Sequence, residues 1–348
     1  MTKDDLINFL LETEIPDNLE NESAIVSEIF KYCWDLTPEN LYRYRFCNTY
    51  SFEALEEDKF LLTKPTLFND PYDSLLYIDR ERILSKINGD LDFDVVKKLK
   101  KDKNYREEQE KILGKDFVDK FANLEPFGTK EEFDKHKKLS EIIHSKIIDS
   151  IINESLLSLK QSSLVACLSE NFESILMWSH YADNHRGFVL NYDFKARYSI
   201  ETNIPGVKAT EFADKKLFPV SYDDNRFDAT YYVEFHFIEN IFKNLGLEFN
   251  RPFFDKLFYY KILLFKSQEW SYEREWRIIK QTNINSQDNK PNIDFITNIR
   301  PKEIILGAHI QDQNKQKLIE IANEKNIPIF QMKLEPFVKE YKLSKREL

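Results

Sequence analysis

The residue types best suited to chemistry lie close together in the last third of the chain, in residues 269–279, which read EWSYEREWRII. From Tyr272 onward this stretch alternates with a period of two, which predicts a strand with one buried face. Glu273, Glu275 and Arg277 would then share one side of that strand. Such a row suits the wall of a cleft, but it equally suits a ladder of salt bridges on an exposed sheet.

Composition narrows the kinds of ligand that the chain can hold. Its 348 residues are enough for one large domain or two ordinary ones, and 42% of them are hydrophobic. With 7 glycines it has no Gly-rich phosphate loop, so a bound nucleotide must be held in another way. The formal net charge of -10 argues against nucleic-acid binding over most of the surface, although a local basic cleft stays open.

Cysteine and histidine spacing gives no sign of a metal site. The three cysteines are scattered, without a C-x-x-C pair, which fits a reducing compartment. His180 and His185 fall on different faces of a helix, and no third ligand has a suitable spacing. Because no signal peptide and no long apolar run is present, we expect a cytoplasmic protein without a membrane partner.

The elements around these residues predict an α+β fold, in which helices flank a mixed, partly split β-sheet. Residues 1–38 carry two amphipathic helical stripes and predict an N-terminal helical cap. Residues 39–340 are predicted to form a single α+β domain. A charged, helical segment over about 80–160 reads as an insertion into that domain.

Two segments in the first part of the chain offer further polar groups. Residues 41–46 alternate as a strand, with Arg43 and Arg45 on one face and Tyr44 on the other. Pro71 keeps the preceding residue out of the helical region, so that residues 69–70, Asn-Asp, lie in a turn. Such a turn either bonds local backbone or contacts a ligand.

The middle of the chain predicts a strand followed by a helix. Ser169 closes a buried type of strand, and a helix follows over 173–182. Trp178, Tyr181 and His185 would share one face if that helix extended far enough, with Gly187 as its stop.

Three elements are predicted near the C-terminus. A helix over 252–266 brings Lys266 close to the strand described first, and residues 282–292 form a polar loop. A final strand covers 327–332.

A set of short segments, spread over most of the chain, follows the pattern of one family: LYRYR at 41–45, LFNDPYD at 67–73, CLS at 167–169, MWSHY at 177–181, HRGF at 185–188, Lys266 with WSYEREWR at 270–277, and IILG at 304–307. The chain resembles the widespread bacterial family called domain of unknown function 2971. The resemblance runs from about residue 40 to about residue 335. The helical segment over about 80–160 is longer and more charged than expected of a minimal member of this family.

A more remote resemblance links this pattern to the ADP-ribosyltransferase superfamily. Those enzymes carry an Arg, His or Tyr on the first strand, a Ser or Tyr on a middle strand or helix, and a Glu on a late strand. They bind NAD without a Gly-rich loop. The resemblance implies an NAD-dependent ADP-ribosyltransferase or NAD glycohydrolase, acting as a bacterial toxin or in anti-phage defence. Its partners would be a nucleotide and a macromolecular acceptor or phage component.

The resemblance also implies roles for individual residues. Glu275 would stabilise the oxocarbenium-like transition state and deprotonate the acceptor, and Glu273 would orient that acceptor. Tyr181 is a further catalytic candidate, because it or Trp178 would stack on nicotinamide. Groups that would grip the pyrophosphate, position the ribose or otherwise contact NAD are Arg43, Tyr44, Arg45, Asn69, Asp70, Ser169, Trp178, His180 and Arg277.

Two other functions stay open from the sequence. The same Arg and Glu residues suit a nuclease or another hydrolase, with or without a metal, or a non-catalytic sensor of a nucleotide or phage component. Structural roles compete as well, since Trp178 suits a core and Arg45 and Glu275 suit a buried ion pair. Geometry separates the hypotheses: ADP-ribosyl transfer requires Arg45, Ser169, Tyr181 and Glu275 to line one cleft of a split, mixed sheet.

Overall fold

A computed structural model describes residues 1–16, 20–89, 95–123, 129–195, 198–201, 208–211, 217–244, 246–248, 255–281 and 293–348. The chain divides into two compact units. The first consists of Met1–Ser74, Leu159–Arg226 and Phe254–Leu348, and the second of Leu75–Ser158 and Phe227–Phe253.

The described residues confirm the predicted α+β class. Their α-helices are α1 Lys3–Glu12, α2 Glu22–Leu36, α3 Thr49–Glu56, α4 Arg80–Gly89, α5 Val95–Lys101, α6 Lys103–Leu113, α7 Lys115–Ala122, α8 Lys130–Ser162, α9 Ile175–Tyr181, α10 Thr230–Asn244, α11 Phe258–Leu263 and α12 Asp312–Lys325. Their strands are β1 Leu41–Arg45, β2 Phe60–Thr63, β3 Ser163–Ser169, β4 Phe188–Tyr192, β5 Tyr198–Glu201, β6 Lys208–Glu211, β7 Leu217–Pro219, β8 Ser221–Asp223, β9 Phe265–Ser267, β10 Glu275–Gln281, β11 Ile293–Ile296, β12 Glu303–Leu306, β13 Ile329–Leu334 and β14 Leu343–Glu347. None of these helices has the length and apolar character needed to cross a bilayer.

The first unit is built on a mixed sheet of ten described strands. Eight of them follow the order β11-β2-β3-β1-β4-β12-β13-β14, while β10 lies beside β3 and β7 lies beside β10. Most neighbours are antiparallel, and β12 and β13 are parallel. The predicted neighbourhood of the first, middle and late strands is therefore present, since β1 and β10 both pair with β3.

The sheet is split along one edge of β3. On its other edge β3 pairs with β10 over its whole length, from Ser163 to Ser169. Because a strand has only two edges, β1 and β2 must share the remaining one. β1 pairs there at Tyr42 with Ser169, and β2 pairs at Thr63 with Val165. The two strands thus diverge and leave a gap beside the middle of β3.

Apolar side chains cover both faces of the sheet around this gap. Leu168 of β3 and Trp276 and Ile278 of β10 belong to one cluster with Leu41 and Phe188. The other face of the same two strands is covered by the N-terminal helices, in a cluster that includes Leu6, Leu10, Ile29, Val165 and Ile279. The predicted N-terminal helices therefore exist, and they pack on the sheet.

The second unit is mainly helical, and it includes the charged segment around 80–160. Arg80 of α4 donates to Asp149 of α8 at 2.7 Å, and Lys86 donates to Glu234 of α10 at 2.9 Å. A small core joins α5 and α7 through Leu99, Val118 and Ala122. The amphipathic pattern thus predicted helices correctly here.

The strand predicted from Tyr272 begins later. Residues Gln268–Glu273 form a 3₁₀ helix, and Arg274 has a left-handed φ of 45°. The 3₁₀ helix is held by β3, because the Ser169 hydroxyl donates to the Glu273 carbonyl oxygen at 2.5 Å. The charged row therefore comes from a turn and a strand rather than from one continuous strand.

The helix predicted over 173–182 is shorter, and it does not continue to Gly187. It ends at Tyr181, and residues 183–185 all have left-handed φ values, of 48°, 52° and 66°. Gly187 is required for close packing instead, since a Cβ there would lie 2.2 Å from the Arg45 carbonyl oxygen.

Two predictions near the C-terminus are also corrected. Within 252–266, residues 255–266 are described, and their helix is limited to Phe258–Leu263, so that Lys266 lies on β9. β14 follows the strand that was predicted to be the last one. The polar loop predicted over 282–292 lies outside the described residues.

Candidate functional site

A cavity of about 180 Å³ occupies the gap in the sheet of the first unit. An apolar cavity of roughly 150 Å³ holds one benzene-sized ring, so a ligand larger than one ring would extend out through the opening of this cavity. The four residues expected to converge, Arg45, Ser169, Tyr181 and Glu275, all line it. The whole lining consists of Tyr42, Arg43, Tyr44, Arg45, Thr63, Phe68, Asn69, Asp73, Val165, Cys167, Leu168, Ser169, Met177, Tyr181, Lys266, Glu273 and Glu275.

Five charged side chains form a connected group at one side of the cavity, which we call the acid cluster: Asp73, Lys266, Glu273, Glu275 and Arg277. All are buried, with exposed fractions between 0% and 7%. Three carboxylates face two cations, so the cluster carries one excess negative charge when every member is ionised. Buried charges are stable only when they are paired and hydrogen-bonded, which makes the contacts of each member informative.

Arg277 holds the acid cluster together without itself lining the cavity. It is fully buried, and it donates to both oxygens of Asp73, at 2.8 and 2.6 Å. It also donates to both oxygens of Glu275, at 2.8 and 3.1 Å. A further bond goes to the Leu263 carbonyl oxygen at 2.7 Å. The planar guanidinium group of Arg277 therefore binds two carboxylates at once, which a lysine cannot do in this geometry.

Glu275 has no oxygen left without a partner. Besides Arg277, it accepts from Lys266 at 3.2 Å, and its backbone N–H donates to the Tyr222 hydroxyl at 2.7 Å. Burial alone would raise the pKa of Glu275, but the charges of Arg277 and Lys266 lower it well below its ordinary value. This carboxylate is ionised and fixed.

Glu273 is the carboxylate whose contacts reach toward the opening. One oxygen accepts from Lys266 at 2.5 Å, and the other accepts from the Tyr181 hydroxyl at 2.6 Å. Tyr181 in turn lies 3.3 Å from the amide nitrogen of Asn69, an exposed residue. Burial and the charge of Glu275 raise the pKa of Glu273 to about 7, against the opposing effect of Lys266. Glu273 can therefore gain or lose a proton near neutral pH.

Two arginines of β1 lie at the side of the cavity across the gap. Arg43 donates to the Leu61 carbonyl oxygen at 2.5 Å, and its guanidinium lies 4.3 Å from the Phe60 ring centre. Burial and the neighbouring charge of Arg45 lower the pKa of Arg43 to about 9, and burial lowers the pKa of Arg45. Among the described residues neither arginine forms an ion pair with a carboxylate.

Two uncompensated cations side by side are unfavourable in a buried place. Each loses hydration, and each repels the other. A ligand with two negative charges would remove both effects at once. The arginine side of the cavity therefore suits phosphate groups, which Arg binds well because its planar fork matches their oxygens.

Four of the predicted site residues do not line the cavity. Arg277 lies behind the carboxylates, Asp70 is buried and accepts from the Tyr72 backbone N–H at 2.8 Å, and His180 is exposed. Trp178 has an exposed fraction of 0%, and it donates to the Phe172 carbonyl oxygen at 2.7 Å. Its core role rules out the stacking role in this structure.

The remaining predicted residues do line the cavity, although some have other partners there. The Ser169 hydroxyl holds the 3₁₀ helix, and the Tyr44 hydroxyl donates to the Asn171 carbonyl oxygen at 2.8 Å. The predicted alternative of an Arg45–Glu275 ion pair is wrong, since Glu275 pairs with Arg277 and Lys266.

Sequence reasoning assigned no site role to two members of the acid cluster. Asp73 ends the LFNDPYD segment, where the preceding Asn-Asp pair drew attention. Lys266 was expected close to the strand that carries Glu275, but it was given no role there. Their position within family-like segments was the available signal, but spacing could not show that Lys266 contacts Glu275 and that Asp73 contacts Arg277.

The acid cluster does not have the form of a metal centre. Within the described ranges no group of three or more His, Cys, Asp and Glu side chains is placed to hold an ion. The carboxylates of the cluster face Lys266 and Arg277 instead.

Comparison with known proteins gives one family and no characterised relative. A family model described as "Protein of unknown function (DUF2971)" matches residues 177–278. The matched segment includes Tyr181, Lys266, Glu273, Glu275 and Arg277, and it supports the family resemblance seen in the sequence. No curated protein and no solved structure matches the chain. The link to ADP-ribosyltransferases stays a prediction.

Proposed function

We propose that the cavity binds NAD and cleaves its bond between ribose and nicotinamide, as an ADP-ribosyltransferase or NAD glycohydrolase. One feature carries the proposal: a single cavity joins the buried Arg43 and the half-buried Arg45, which have no acid partner among the described residues, to Glu273, whose pKa is raised to about 7. The first feature suits a pyrophosphate, and the second suits the reacting ribose. A role as a toxin or in anti-phage defence, with a macromolecular acceptor, rests on the family resemblance alone.

Glu273 is the acting carboxylate in this proposal. Sequence reasoning favoured Glu275, but each oxygen of Glu275 accepts from a buried cation. Such a group cannot take a proton without breaking the cluster. Glu273 has a tyrosine hydroxyl on one oxygen, and that contact can be exchanged for a ligand hydroxyl. Glu275 then serves to hold Lys266 and Arg277.

The reaction follows from these groups. The bond from C1′ of the ribose to the nicotinamide nitrogen breaks, and its electron pair leaves with nicotinamide, which becomes neutral. The Glu273 carboxylate stabilises the positive charge that develops on the ribose. The oxygen of water or another acceptor then bonds to C1′, while its proton passes to Glu273 and on to solvent. The products are nicotinamide and ADP-ribose attached to the acceptor oxygen.

A sensor that binds a nucleotide without turnover is the second candidate. It is favoured by the complete engagement of Glu275, which leaves the acid cluster resembling a rigid structural element. The arginine side would bind the phosphates in the same way. Binding without consumption of NAD would support this candidate.

The decisive experiment follows NAD and nicotinamide by chromatography, with purified protein and with or without cell lysate. We expect wild-type protein to consume NAD and Glu273→Gln to be slower by about a hundredfold or more, as for loss of a general base. The matched control is Glu303→Gln, since Glu303 pairs with Lys345 at 2.8 Å outside the cavity.

Three results would contradict the proposal. NAD stays intact under every condition, Glu273→Gln keeps the wild-type rate while folded, or Glu303→Gln loses as much activity as Glu273→Gln. Calorimetric titration with NAD and ADP-ribose, done in parallel, then separates a sensor from a protein that binds neither.

A further inference from the structure

We propose that Lys266 sets the charge state of Glu273 and is the positioning residue of this cavity. The inference rests on the proposed function, because Glu273 is the base in that function. Its central claim concerns the protonation of one carboxylate, and it can be measured without any substrate.

Lys266 lies where the carboxylates of the acid cluster meet. Its ammonium nitrogen is 2.5 Å from Glu273, 3.2 Å from Glu275 and 3.6 Å from Asp73. The Trp270 ring centre lies 5.0 Å away, on the 3₁₀ helix. With an exposed fraction of 7%, the ammonium has little contact with water.

The backbone fixes this placement. β9 runs parallel to β8, and Lys266 is the register partner of Tyr222. The Tyr222 hydroxyl accepts from the Glu275 backbone N–H, so one short strand pair places both the ammonium and the start of β10. Lys266 is thus held by strands rather than by a mobile loop.

In the part of the chain that the structure describes, five charged or titratable side chains face Glu273. Tyr181 approaches from α9, Lys266 from β9, Glu275 from β10 and Tyr222 from β8, while Tyr272 is its neighbour on the 3₁₀ helix. Lys266 is the one cation among the described residues in direct contact with Glu273. Tyrosines stay neutral at pH 7, and burial raises the pKa of both Tyr181 and Tyr222.

Lys266 therefore gives the two glutamates different roles: Glu275 keeps Lys266 charged, and Lys266 favours the ionised form of Glu273. Burial opposes the charge of Lys266, but Glu275 and Glu273 raise its pKa far above the ordinary value, so it stays charged. A fixed cation at 2.5 Å favours the ionised form of Glu273, against burial and the charge of Glu275. Without it, Glu273 would stay protonated through neutral pH and could not act as a base.

The test measures the titration of Glu273 in protein labelled with carbon-13 at the glutamate carboxyl carbon. Glu273→Gln identifies the signal by its loss. We expect Lys266→Met to move the Glu273 midpoint upward by about one pH unit or more, and Lys266→Arg to move it by less than about half of that. The control is Lys261→Met, which removes another buried lysine, paired with Asp255 at 2.7 Å outside the cavity.

A matched pair of variants guards against loss of the fold. Glu275→Gln and the double variant Lys266→Met with Glu275→Gln differ only at Lys266, and the double variant removes one charge of each sign. The double variant should again titrate at higher pH than Glu275→Gln. An unchanged midpoint in Lys266→Met and in the double variant overturns the proposal, and so does an equal shift in Lys261→Met.

Activity distinguishes this inference from the proposed function. If NAD is consumed, the acid limb of the pH–rate profile should move upward in Lys266→Met, with partial recovery of the rate at high pH. A shifted titration without any NAD consumption would defeat the proposed function and leave the role of Lys266 intact. NAD consumption with an unshifted titration of Glu273 would leave the proposed function intact and defeat the role of Lys266.

Discussion

The two sides of the cavity treat charge in opposite ways. On the acid cluster side, each carboxylate has a cation within 3.2 Å, and Arg277 bonds two of them at once. On the arginine side, the buried Arg43 and the half-buried Arg45 have no carboxylate partner among the described residues. The first arrangement is complete without a ligand. The second becomes favourable only when an anion is added.

This difference indicates which side of the cavity stabilises the fold and which side is suited to bind a ligand. A buried charge that already has its partners contributes to the fold, and its removal leaves those partners exposed to a poor environment. A buried charge without partners is retained at a cost in stability, which selection tolerates at functional sites. The arginine side is therefore the better candidate for ligand recognition, and most of the acid cluster is its rigid counterpart.

The largest effect is expected from Arg277→Met. It leaves Asp73 and Glu275 buried without their shared partner, and we expect a loss of about 3–5 kcal/mol in the free energy of unfolding. Tryptophan fluorescence during urea unfolding reports the stability of the first unit, which contains the acid cluster. All four tryptophans belong to that unit: Trp34, Trp178, Trp270 and Trp276.

Arg300→Met is the control for that measurement. The Arg300 side chain has an exposed fraction of 54%, and it pairs with Asp58, which also pairs with Lys325. We expect a loss below about 1 kcal/mol. If Arg277→Met lowers the free energy of unfolding by no more than Arg300→Met does, the acid cluster does not stabilise the fold, and the proposed difference between the two sides of the cavity fails.

A second effect concerns pH. Folding raises the pKa of Glu273 from 4.5 to about 7, so the protonated form is favoured by folding. Its stabilising contribution is complete below pH 4.5 and is lost as pH rises through 7. Relative to Glu273→Gln, the wild type should therefore lose about 3 kcal/mol between pH 4.5 and 8.

Urea unfolding at several pH values checks this sign and size. Glu12→Gln, at an exposed residue of α1, is the control and should follow the wild-type curve. A wild type that gains stability relative to Glu273→Gln as pH rises would show that Glu273 behaves like Glu275. The proposed role of Glu273 as a base would then fail.

The smallest effect on stability is expected from Arg45→Met. Removing a half-buried cation that has no carboxylate partner among the described residues should leave the free energy of unfolding unchanged or raise it by up to about 1 kcal/mol. Affinity for ADP-ribose, measured by calorimetry, should fall about tenfold or more, since a charge-assisted bond contributes about 1.5–3 kcal/mol. A marked loss of stability with unchanged affinity would reverse the comparison between the two sides.

The local elements were largely predictable, because their signals are local. The buried strand expected to close at Ser169 is present as β3, since its pattern depends on neighbours in the chain. The helix near Trp178 was predicted too long. It ends at Tyr181 and is followed by the left-handed residues 183–185, and Gly187 beyond them packs closely against the backbone of Arg45, far away in sequence.

The candidate site was predictable in part for the same reason. Alternation placed Glu273, Glu275 and Arg277 near one another, and the structure does bring them together. It could not reveal Asp73, 204 positions away from Arg277, as a partner. Nor could it show that Trp178 is enclosed by Tyr44 and His185 rather than open to a ligand.

By itself the sequence determined which charged groups exist, the alternation of the strands that carry them, and the lack of a Gly-rich phosphate loop. Only the tertiary structure decided what each group does. Glu273 and Glu275 are the same residue type, two positions apart, yet folding raises the pKa of one and lowers that of the other. The reason is that, of the two glutamates, Arg277 contacts Glu275, while Glu273 contacts Tyr181, brought in by α9, and Lys266, which β9 brings in and which also contacts Glu275.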